Sequence, residues 1–320
     1  MESQRAPLSG DYGWRDTALV DDAKKDLILR DPASIPSNPA PEDFYHHRVQ
    51  LVKQSRVAWA RRGVAFALAE RDIRTQYKQA ALGMLWALIS PVITVIIFTL
   101  IFGHVKSLKV PGVPYILYSY VGLVCWGYFA GTVGAGGSAV LANLNLLQKT
   151  HFPRELFPIS QALEQMFYTT IGLIPLAIIF ALHGFPPKIE GLWVPLFIVI
   201  EWIFAAGLML AMAALVVYLR DLLQVMGIIL TLGLFATPII WPLSKLKNIS
   251  YGPMHHWDLR PYYAVFNPLG PVIDNIRRTL LLDQAPDWPL VGLASLSAVA
   301  YLFVGYRIFK RLEIGFADIS

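Results

Sequence analysis

Two acidic residues, Glu164 and Glu201, lie inside or close to long apolar stretches of this 320-residue sequence. A charge at such a depth in a membrane costs several kcal/mol, so these side chains must be paired, protonated or directed at a polar cavity. A proton relay would need periodic acidic companions or an inverted repeat, and neither is evident in the sequence. We therefore expect both glutamates to form hydrogen bonds between helices.

Other residues with chemical potential also lack companions. The neighbouring His255 and His256, followed by Trp257, point in different directions without further ligands at regular spacing, so we predict no metal site. Cys125 is the single cysteine and lies within an apolar run, which excludes an intrachain disulfide and indicates helix packing. No Gly-x-x-x-x-Gly-Lys-Ser/Thr phosphate loop occurs, so no part of the sequence can hold nucleotide phosphates in that manner.

A dense basic segment ends just before the first long apolar stretch. It reads Arg71-Asp-Ile-Arg-Thr-Gln-Tyr-Lys78, and no charged residue occurs from Leu82 to Phe102. At about 1.5 Å per residue, this apolar run covers the roughly 30 Å hydrocarbon core of a bilayer. Since positive flanks remain in the cytoplasm, the junction predicts both a membrane span and its orientation.

The composition indicates an all-α polytopic membrane protein. Hydrophobic residues make up 55% of the chain and charged residues 15%, against about 25% charged in soluble domains. The formal charge of +5 could indicate nucleic acid, but the basic residues cluster beside apolar segments, as membrane topology requires. Length and lack of charge predict six spans, at about 82–103, 115–139, 159–182, 192–218, 222–243 and 288–309.

The sequence divides into three parts. Residues 1–52 are polar and rich in proline, which predicts a largely disordered cytoplasmic tail. Residues 53–80 are predicted to form a cytoplasmic interface helix, because Trp59, Phe66 and Ile73 recur at seven-residue spacing. Residues 81–320 would form the six-span domain, and an even number of spans places both termini in the cytoplasm.

The segment between the last two predicted spans, residues 243–287, is expected on the outer side of the membrane. An Asn-Pro pair at 267–268 can start a helix, and apolar residues follow at helical spacing while charged residues occupy other faces. Such an amphipathic helix must bury its apolar side, so we predict a re-entrant or lid-like outer gate helix. The residues assigned to this gate are Ile273, Ile276, Arg277 and Arg278.

Aromatic residues concentrate near the outer end of the second predicted span. Flat rings with a polar edge suit sugar faces, but Tyr and Trp also form a belt at headgroup depth in many membrane proteins. We favour the belt for the tyrosines at 115–120, whereas Trp126 and Tyr128 lie deeper. The candidate channel residues are Tyr118, Trp126, Tyr128 and Phe129.

Four blocks of the sequence carry a family resemblance. They are Arg71-Asp-Ile-Arg-Thr-Gln-Tyr-Lys-Gln-Ala-Ala-Leu-Gly-Met-Leu-Trp-Ala-Leu-Ile-Ser-Pro91, Asn145-Leu-Leu-Gln-Lys-Thr-His-Phe-Pro-Arg-Glu155, Tyr218-Leu-Arg-Asp221 and Phe309-Lys-Arg-Leu-Glu-Ile-Gly-Phe-Ala-Asp318. In order and spacing they resemble the ABC-2 type permease subunits that export lipid-linked polysaccharides, including O-antigen, capsule and wall teichoic acid. The resemblance covers the chain from about residue 56 to the C terminus and does not include the N-terminal tail at residues 1–52.

The resemblance implies a homodimeric permease that pairs with two copies of an ABC ATPase subunit, which binds ATP and Mg. It also implies that the loop after the second span is a coupling helix seated in a groove of the ATPase. The coupling residues carried over are Asn145, Lys149, His151, Phe152, Pro153, Arg154 and Glu155. The interface-helix residues carried over are Arg71, Asp72, Arg74, Tyr77 and Lys78. A plainer explanation treats Lys149 and Arg154 as positive-inside residues and Phe152-Pro153 as a helix stop.

The function implied by the resemblance is ATP-driven export of a lipid-linked glycan, O-antigen-like and carried on polyprenyl pyrophosphate, across the bacterial inner membrane. The chain itself would be a permease without a cofactor, without nucleic acid and without enzymatic activity. One alternative is an ABC-2 permease for a drug or another lipid. A second is a polytopic glycolipid-modifying enzyme, which would need converging acids, histidines or a metal cluster, whereas the acids here are scattered.

Overall fold

A computed structural model describes residues 59–78, 85–144, 146, 153–186, 188–250 and 256–317. Nine α-helices and a two-stranded antiparallel sheet occur within these ranges. The predicted tail at residues 1–52 lies outside them. This helical architecture confirms the prediction of an all-α polytopic fold. The two short strands were not predicted.

The elements follow one another with short connections. The first six helices are α1 (Arg62–Tyr77), α2 (Leu85–Phe102), α3 (Tyr115–Ala142), α4 (Leu156–Leu182), α5 (Val194–Tyr218) and α6 (Leu222–Ala236). The two strands, β1 (Lys247–Ser250) and β2 (His256–Asp258), come next. The chain then forms α7 (Arg260–Phe266), α8 (Leu269–Leu281) and α9 (Trp288–Leu312).

Five helices in the described part of the chain are long and apolar enough to cross a membrane. They are α2, α3, α4, α5 with the 3-10 turn before it, and α9 with the 3-10 turn after it. Each coincides with a span predicted from the sequence. The fifth predicted span, at 222–243, corresponds to α6, which has 15 residues and rises about 22 Å. The count of six spans therefore stays a prediction.

The early end of α6 has a local cause. Thr237 adopts an extended backbone conformation directly after the helix. The ring of Pro238 disfavours helical geometry at the residue before it, so the helix stops although the sequence remains apolar. The chain then turns through residues 237–242 into the 3-10 helix Leu243–Leu246 and the two strands.

The core is centred on α3 and α5. Helix α3 packs against α4 and α5, and α5 packs against α9. At the α5–α9 crossing two glycines let the backbones meet, since a Cβ atom added at Gly305 would lie 1.9 Å from the carbonyl oxygen of Gly207. Small residues at helix crossings allow this close approach, which supplies the van der Waals contact that holds membrane helices together.

Two helices lie at the margin of the bundle. Among the described residues, α2 buries Val95 alone and α6 buries Met226 alone. Their other apolar side chains, such as Ile97 and Leu100 on α2 and Ile229 on α6, are exposed in the single chain. Exposed apolar faces of this size must meet lipid or another protein.

The glycine contact gives a test of the helix packing. We expect Gly305→Ala to lower the unfolding free energy by about 1–3 kcal/mol, because the added methyl group collides with backbone rather than with a movable side chain. Gly292→Ala on the same helix is the matched control, since its Cβ atom would meet nothing within 4 Å. Unfolding in detergent measures both, and equal stabilities would contradict this close crossing of α5 and α9.

Candidate functional site

The four sequence blocks that carry the resemblance contribute to the end of the bundle where α3 ends and α4 begins, which we call the loop end. There Glu155 precedes α4, and its Oε2 atom lies 2.8 Å from the Nζ atom of Lys310 on α9. The two side chains are 2% and 3% exposed. Glu313 accepts a further hydrogen bond from Lys310 at 3.1 Å. This buried ion pair ties the second block to the fourth.

Arg154 and Tyr218 strengthen the same junction. The guanidinium of Arg154 donates to the backbone carbonyl of Glu313 and lies 5.6 Å from the ring centre of Phe316. The Tyr218 hydroxyl, from the third block, donates to the carbonyl of Leu312 at 2.7 Å. Because the end of α9 is held from two sides, it cannot fray as a free terminus would.

A polar cavity of about 300 Å³ lies beside the ion pair. Its lining consists of Pro153, Arg154, Glu155, Lys310, Glu313 and Ile314. The second carboxylate oxygen of Glu155, Oε1, has no hydrogen-bond partner among the described residues. A buried acceptor of this kind is costly when left unpaired, so the cavity is suited to receive a hydrogen-bond donor.

Helix α1 is anchored to α4 next to this junction. Gln161 donates from Nε2 to Asp72 Oδ2 at 2.9 Å, and the Tyr168 hydroxyl contacts the side-chain amide of Gln76. On the apolar side, Ala65 of α1 and Leu156 of α4 bury each other almost completely. The interface helix and the loop before Leu156 therefore share one support, which the sequence did not reveal.

The opposite face of α1 is free in the single chain. Arg71, Arg74 and Lys78 are exposed there, with Arg74 at 78%. The 2.5 Å pair between Arg74 and Glu70 is a surface contact that contributes little to stability. Trp59 and Phe66, predicted to share a face, are also exposed, at 70% and 57%. A basic and aromatic surface beside a membrane bundle suits contact with lipid headgroups or a soluble partner.

The predicted coupling residues fall into two groups. Pro153, Arg154 and Glu155 are described and lie at the junction. Outside the described residues are Asn145, Lys149, His151 and Phe152, together with the side chain of Tyr77. The sequence alone assigned no individual role to Lys310, Glu313 or Phe316. Glu313 and Phe316 follow Lys310 by three and six residues at the end of α9. Their position in the fourth block is the signal that could have identified them.

The outer helix α8 buries its apolar side as predicted, with Ile273 and Ile276 in the core. Arg277 was expected on a different, polar face, and the structure corrects this because the side chain is 1% exposed. Its guanidinium donates to the backbone carbonyls of Pro238 and Ile239, the latter at 2.7 Å. It also lies 3.7 Å from the ring centre of Tyr118, close enough for a cation–π contact.

The charged neighbours of Arg277 behave differently. Arg278 is partly buried and donates to the carbonyl of Ala285 at 3.2 Å. Burial raises the pKa of the Asp274 carboxyl, while the positive charges of Arg277 and Arg278 act to lower it. Of these residues only Arg277 donates to the segment that follows α6, and the assignment of α8 as a gate stays a prediction.

The candidate channel aromatics are all buried within the single chain. Phe129 stacks on Phe204 with ring centres 5.1 Å apart, and Tyr128 lies 6.2 Å from Trp202. Trp126 packs against Gly233 of α6. Their channel role is not tested by this arrangement and stays a prediction, as it does for Tyr118.

The belt interpretation is wrong for the first tyrosines of α3. Tyr115, Tyr118 and Tyr120 are 8%, 4% and 0% exposed, whereas a belt residue faces the lipid interface. The Tyr115 and Tyr120 hydroxyls donate to the carbonyls of Ile240 and Gly172, at 3.2 and 3.0 Å. The first bond joins α3 to the segment after α6, and the second joins α3 to α4.

The intramembrane glutamates differ from each other. Glu164 accepts a hydrogen bond of 2.9 Å from Tyr168, which also reaches α1, so it belongs to an interhelical network as expected. Glu201 lies beside the Cys125 thiol, and its Oε1 atom has no partner in the described part of the chain. No group of three potential metal ligands occurs there either, while His255 lies outside it.

These features define a multi-pass helical membrane protein whose loop end is polar and is built from the four sequence blocks. Residues 64–264 match the family model described as ABC-2 type transporter, and the chain belongs to that family. It is therefore a transport permease rather than an enzyme, and it works within an ABC transporter that includes an ATPase partner.

Bacterial relatives share most of the chain. It is 27% identical over 269 residues to the O-antigen export system permease protein RfbA of Myxococcus xanthus, covering 84% of this chain and 99% of that protein. It is 24% identical over 254 residues to the protein of that description in Klebsiella pneumoniae, covering 79% and 93%. It is 22% identical over 252 residues to the polysialic acid transport protein KpsM of Escherichia coli, covering 77% and 92%.

The buried ion pair at the loop end can be tested by substitution. We expect Lys310→Met to lower the unfolding free energy by about 3 kcal/mol or more, because it leaves the Glu155 carboxylate buried without a counter-charge. Arg311→Met, at the adjacent exposed position, should change it by less than about 0.5 kcal/mol. The double variant Lys310→Met with Glu155→Leu should recover part of the loss. Detergent unfolding curves measure all three, and equal losses at 310 and 311 would contradict the pair.

The Arg277 contacts can be tested in the same way. Arg277→Met removes both donors from the carbonyls of Pro238 and Ile239, so we expect a loss of about 2–4 kcal/mol. Arg278→Met removes one long hydrogen bond and should cost about 1 kcal/mol or less. Thermal unfolding of the two variants in one detergent compares them, and a larger loss at 278 would refute the assignment.

Proposed function

We propose that this chain is the permease subunit of an ATP-driven exporter of lipid-linked polysaccharide in the bacterial inner membrane. The cargo would be O-antigen-like and carried on polyprenyl pyrophosphate, with both termini of the chain in the cytoplasm. The observation that carries the proposal is the family match over residues 64–264 together with the named relatives, which are described as permeases or transport proteins for O-antigen and polysialic acid.

The proposed input from the ATPase enters at the loop end. ATP and Mg would bind to the partner subunit, whose closure would push on residues 145–155 and on α1. The Glu155–Lys310 ion pair leads from that loop into α9, and the Gln161–Asp72 hydrogen bond joins α1 to α4. Motion applied to either contact would thereby reach two membrane helices as a rigid displacement.

The proposed assembly contains two permease chains and two ATPases. The exposed apolar faces of α2 and α6 support this, since one chain leaves them uncovered. A channel for the glycan would then form between the two chains, with α2 and α6 on its walls or at the contact. The outer helix α8 would act as a gate, because it lies at the end of the bundle opposite the loop end.

A second function within the same family is export of a drug or another lipid. The relatives favour polysaccharide as the cargo. The aromatic side chains of α3 are buried in the single chain, so they could contact a sugar only if the helices around them separate in the dimer. The two cargoes make different predictions in cells. A polysaccharide exporter leaves its lipid-linked glycan inside when it fails, whereas a drug exporter changes drug resistance.

The decisive experiment deletes the gene in its own bacterium. We expect surface polysaccharide to disappear and a lipid-linked glycan to accumulate in the cytoplasmic leaflet, and the intact gene should restore export. Surface staining and lipid extraction measure the two pools. Unchanged surface polysaccharide with altered drug resistance would support the second function instead.

A charge reversal on α1 tests the ATPase contact in the same strain. Arg74 is exposed and forms only a surface ion pair, so Arg74→Glu should leave folding intact. We expect this variant to co-purify with about tenfold less ATPase, because a rim charge of the wrong sign costs about 1.4 kcal/mol in binding. Lys109→Glu, exposed at the opposite end of the bundle, is the matched control. Equal ATPase recovery from both variants would exclude α1 from the contact.

A further inference from the structure

A second cavity lies within the membrane part of the bundle, away from the loop end. Its volume is about 410 Å³, and its wall is built from α3, α4, α5 and α8. Small-molecule sites in proteins typically have volumes of about 300–1,000 Å³ and mainly apolar walls with a few polar groups. The cavity meets both criteria, and the coupling mechanism makes no use of it.

Glu201 is the single acidic residue in this wall. The side chain is 3% exposed, and its Oε1 atom has no hydrogen-bond partner among the described residues. Burial of a carboxyl oxygen without a partner is unfavourable, and a membrane increases that cost. A ligand that supplies a donor to Glu201 would recover this energy on binding.

Two threonine hydroxyls of the wall also offer acceptors. The Thr169 and Thr170 hydroxyls donate to the backbone carbonyls of Gln165 and Met166, at 2.8 and 2.9 Å. A hydroxyl has one proton, so each of these oxygens can only accept from a further partner. The wall contains no Lys or Arg among the described residues to satisfy Glu201. Cys125, Tyr128 and Trp202 also line the wall and can donate, but none of them pairs with Oε1 of Glu201, so a ligand that pairs with this oxygen must be a hydrogen-bond donor.

The cavity reaches the outer surface of the bundle. Met166, Leu173 and Val199 line it and are also exposed, which places its rim on a surface that faces lipid. Glu201 lies seven residues into α5, about 10 Å along the helix from Val194.

We propose that this cavity binds a single-chain amphiphile from the bilayer, whose terminal hydroxyl or ammonium group donates to Glu201. The apolar chain fills the space between α4 and α5. Ile276 and Leu280 of α8 belong to the wall, so an occupant also presses on the outer helix.

The single cysteine provides a reporter, because Cys125 lines the cavity and any thiol adduct must arise there. The full chain in lipid nanodiscs is treated with N-ethylmaleimide, with dodecanol, dodecylamine or dodecyl methyl ether added, and adducts are counted by intact mass. We expect the alcohol or the amine, or both, to slow labelling, and the ether, which has no donor, to have no effect. The compound that protects identifies a lipid alcohol or a cationic amphiphile as the source.

The role of Glu201 is tested by Glu201→Met, which should weaken protection about tenfold, the factor given by loss of about 1.4 kcal/mol. Glu164→Met is the matched control, since that carboxyl is buried in the same bundle and is already paired with Tyr168. If Glu201→Met does not fold, Glu201→Gln replaces it and should lose amine binding. If Cys125 resists labelling, native mass spectrometry counts bound probe. Equal binding of all three probes, or of none, would overturn the proposal.

Discussion

The structure depends on how the backbone is satisfied where α6 ends within an apolar region. In lipid an unpaired carbonyl costs several kcal/mol, so an irregular segment at this depth survives only when protein groups pair with it. Side chains from three other elements supply these donors. They are Tyr115 from α3, Tyr263 from α7 and Arg277 from α8, whose acceptors are the carbonyls of Ile240, Ala236, Pro238 and Ile239.

Arg277 is the strongest of these donors, and its burial follows from the same requirement. The C-terminal end of a helix carries partial negative charge, which a guanidinium neutralises while its planar donors reach two carbonyls at once. Tyr118 covers the other side of the cation, and a Cβ atom at Gly122 would lie 2.3 Å from the guanidinium. The outer helix is therefore positioned by electrostatics as well as by its apolar side. The Arg277 guanidinium of α8 contacts both α3 and the segment that follows α6.

The class of fold was predictable because few backbone structures can satisfy their hydrogen bonds inside a membrane. Span length and absence of charge located α2, α3, α4, α5 and α9 within a few residues. The length of α6 was not predictable from hydropathy, since residues 237–243 are largely apolar and only Pro238 and Pro242 signal the break. Periodicity found the buried side of α8 but misjudged Arg277, because its acceptors are backbone atoms that no side-chain pattern can reveal. At the loop end, the motif blocks identified Arg154 and Glu155, yet the pairing with Lys310 needed the three-dimensional packing of α9.

Helix α9 is the element through which the two ends of the bundle can communicate. Its last turn is fixed by the Lys310–Glu155 pair, and the backbone amide at its first end, from Asp287, donates to Asn275 of α8 at 2.7 Å. A helix of 25 residues spans about 37 Å, and its backbone hydrogen bonds resist compression. The glycine contact with α5 lies between these ends and allows little sliding. A push at the loop end would therefore tilt α9 about that crossing, and α8 would follow because it is joined to the far end.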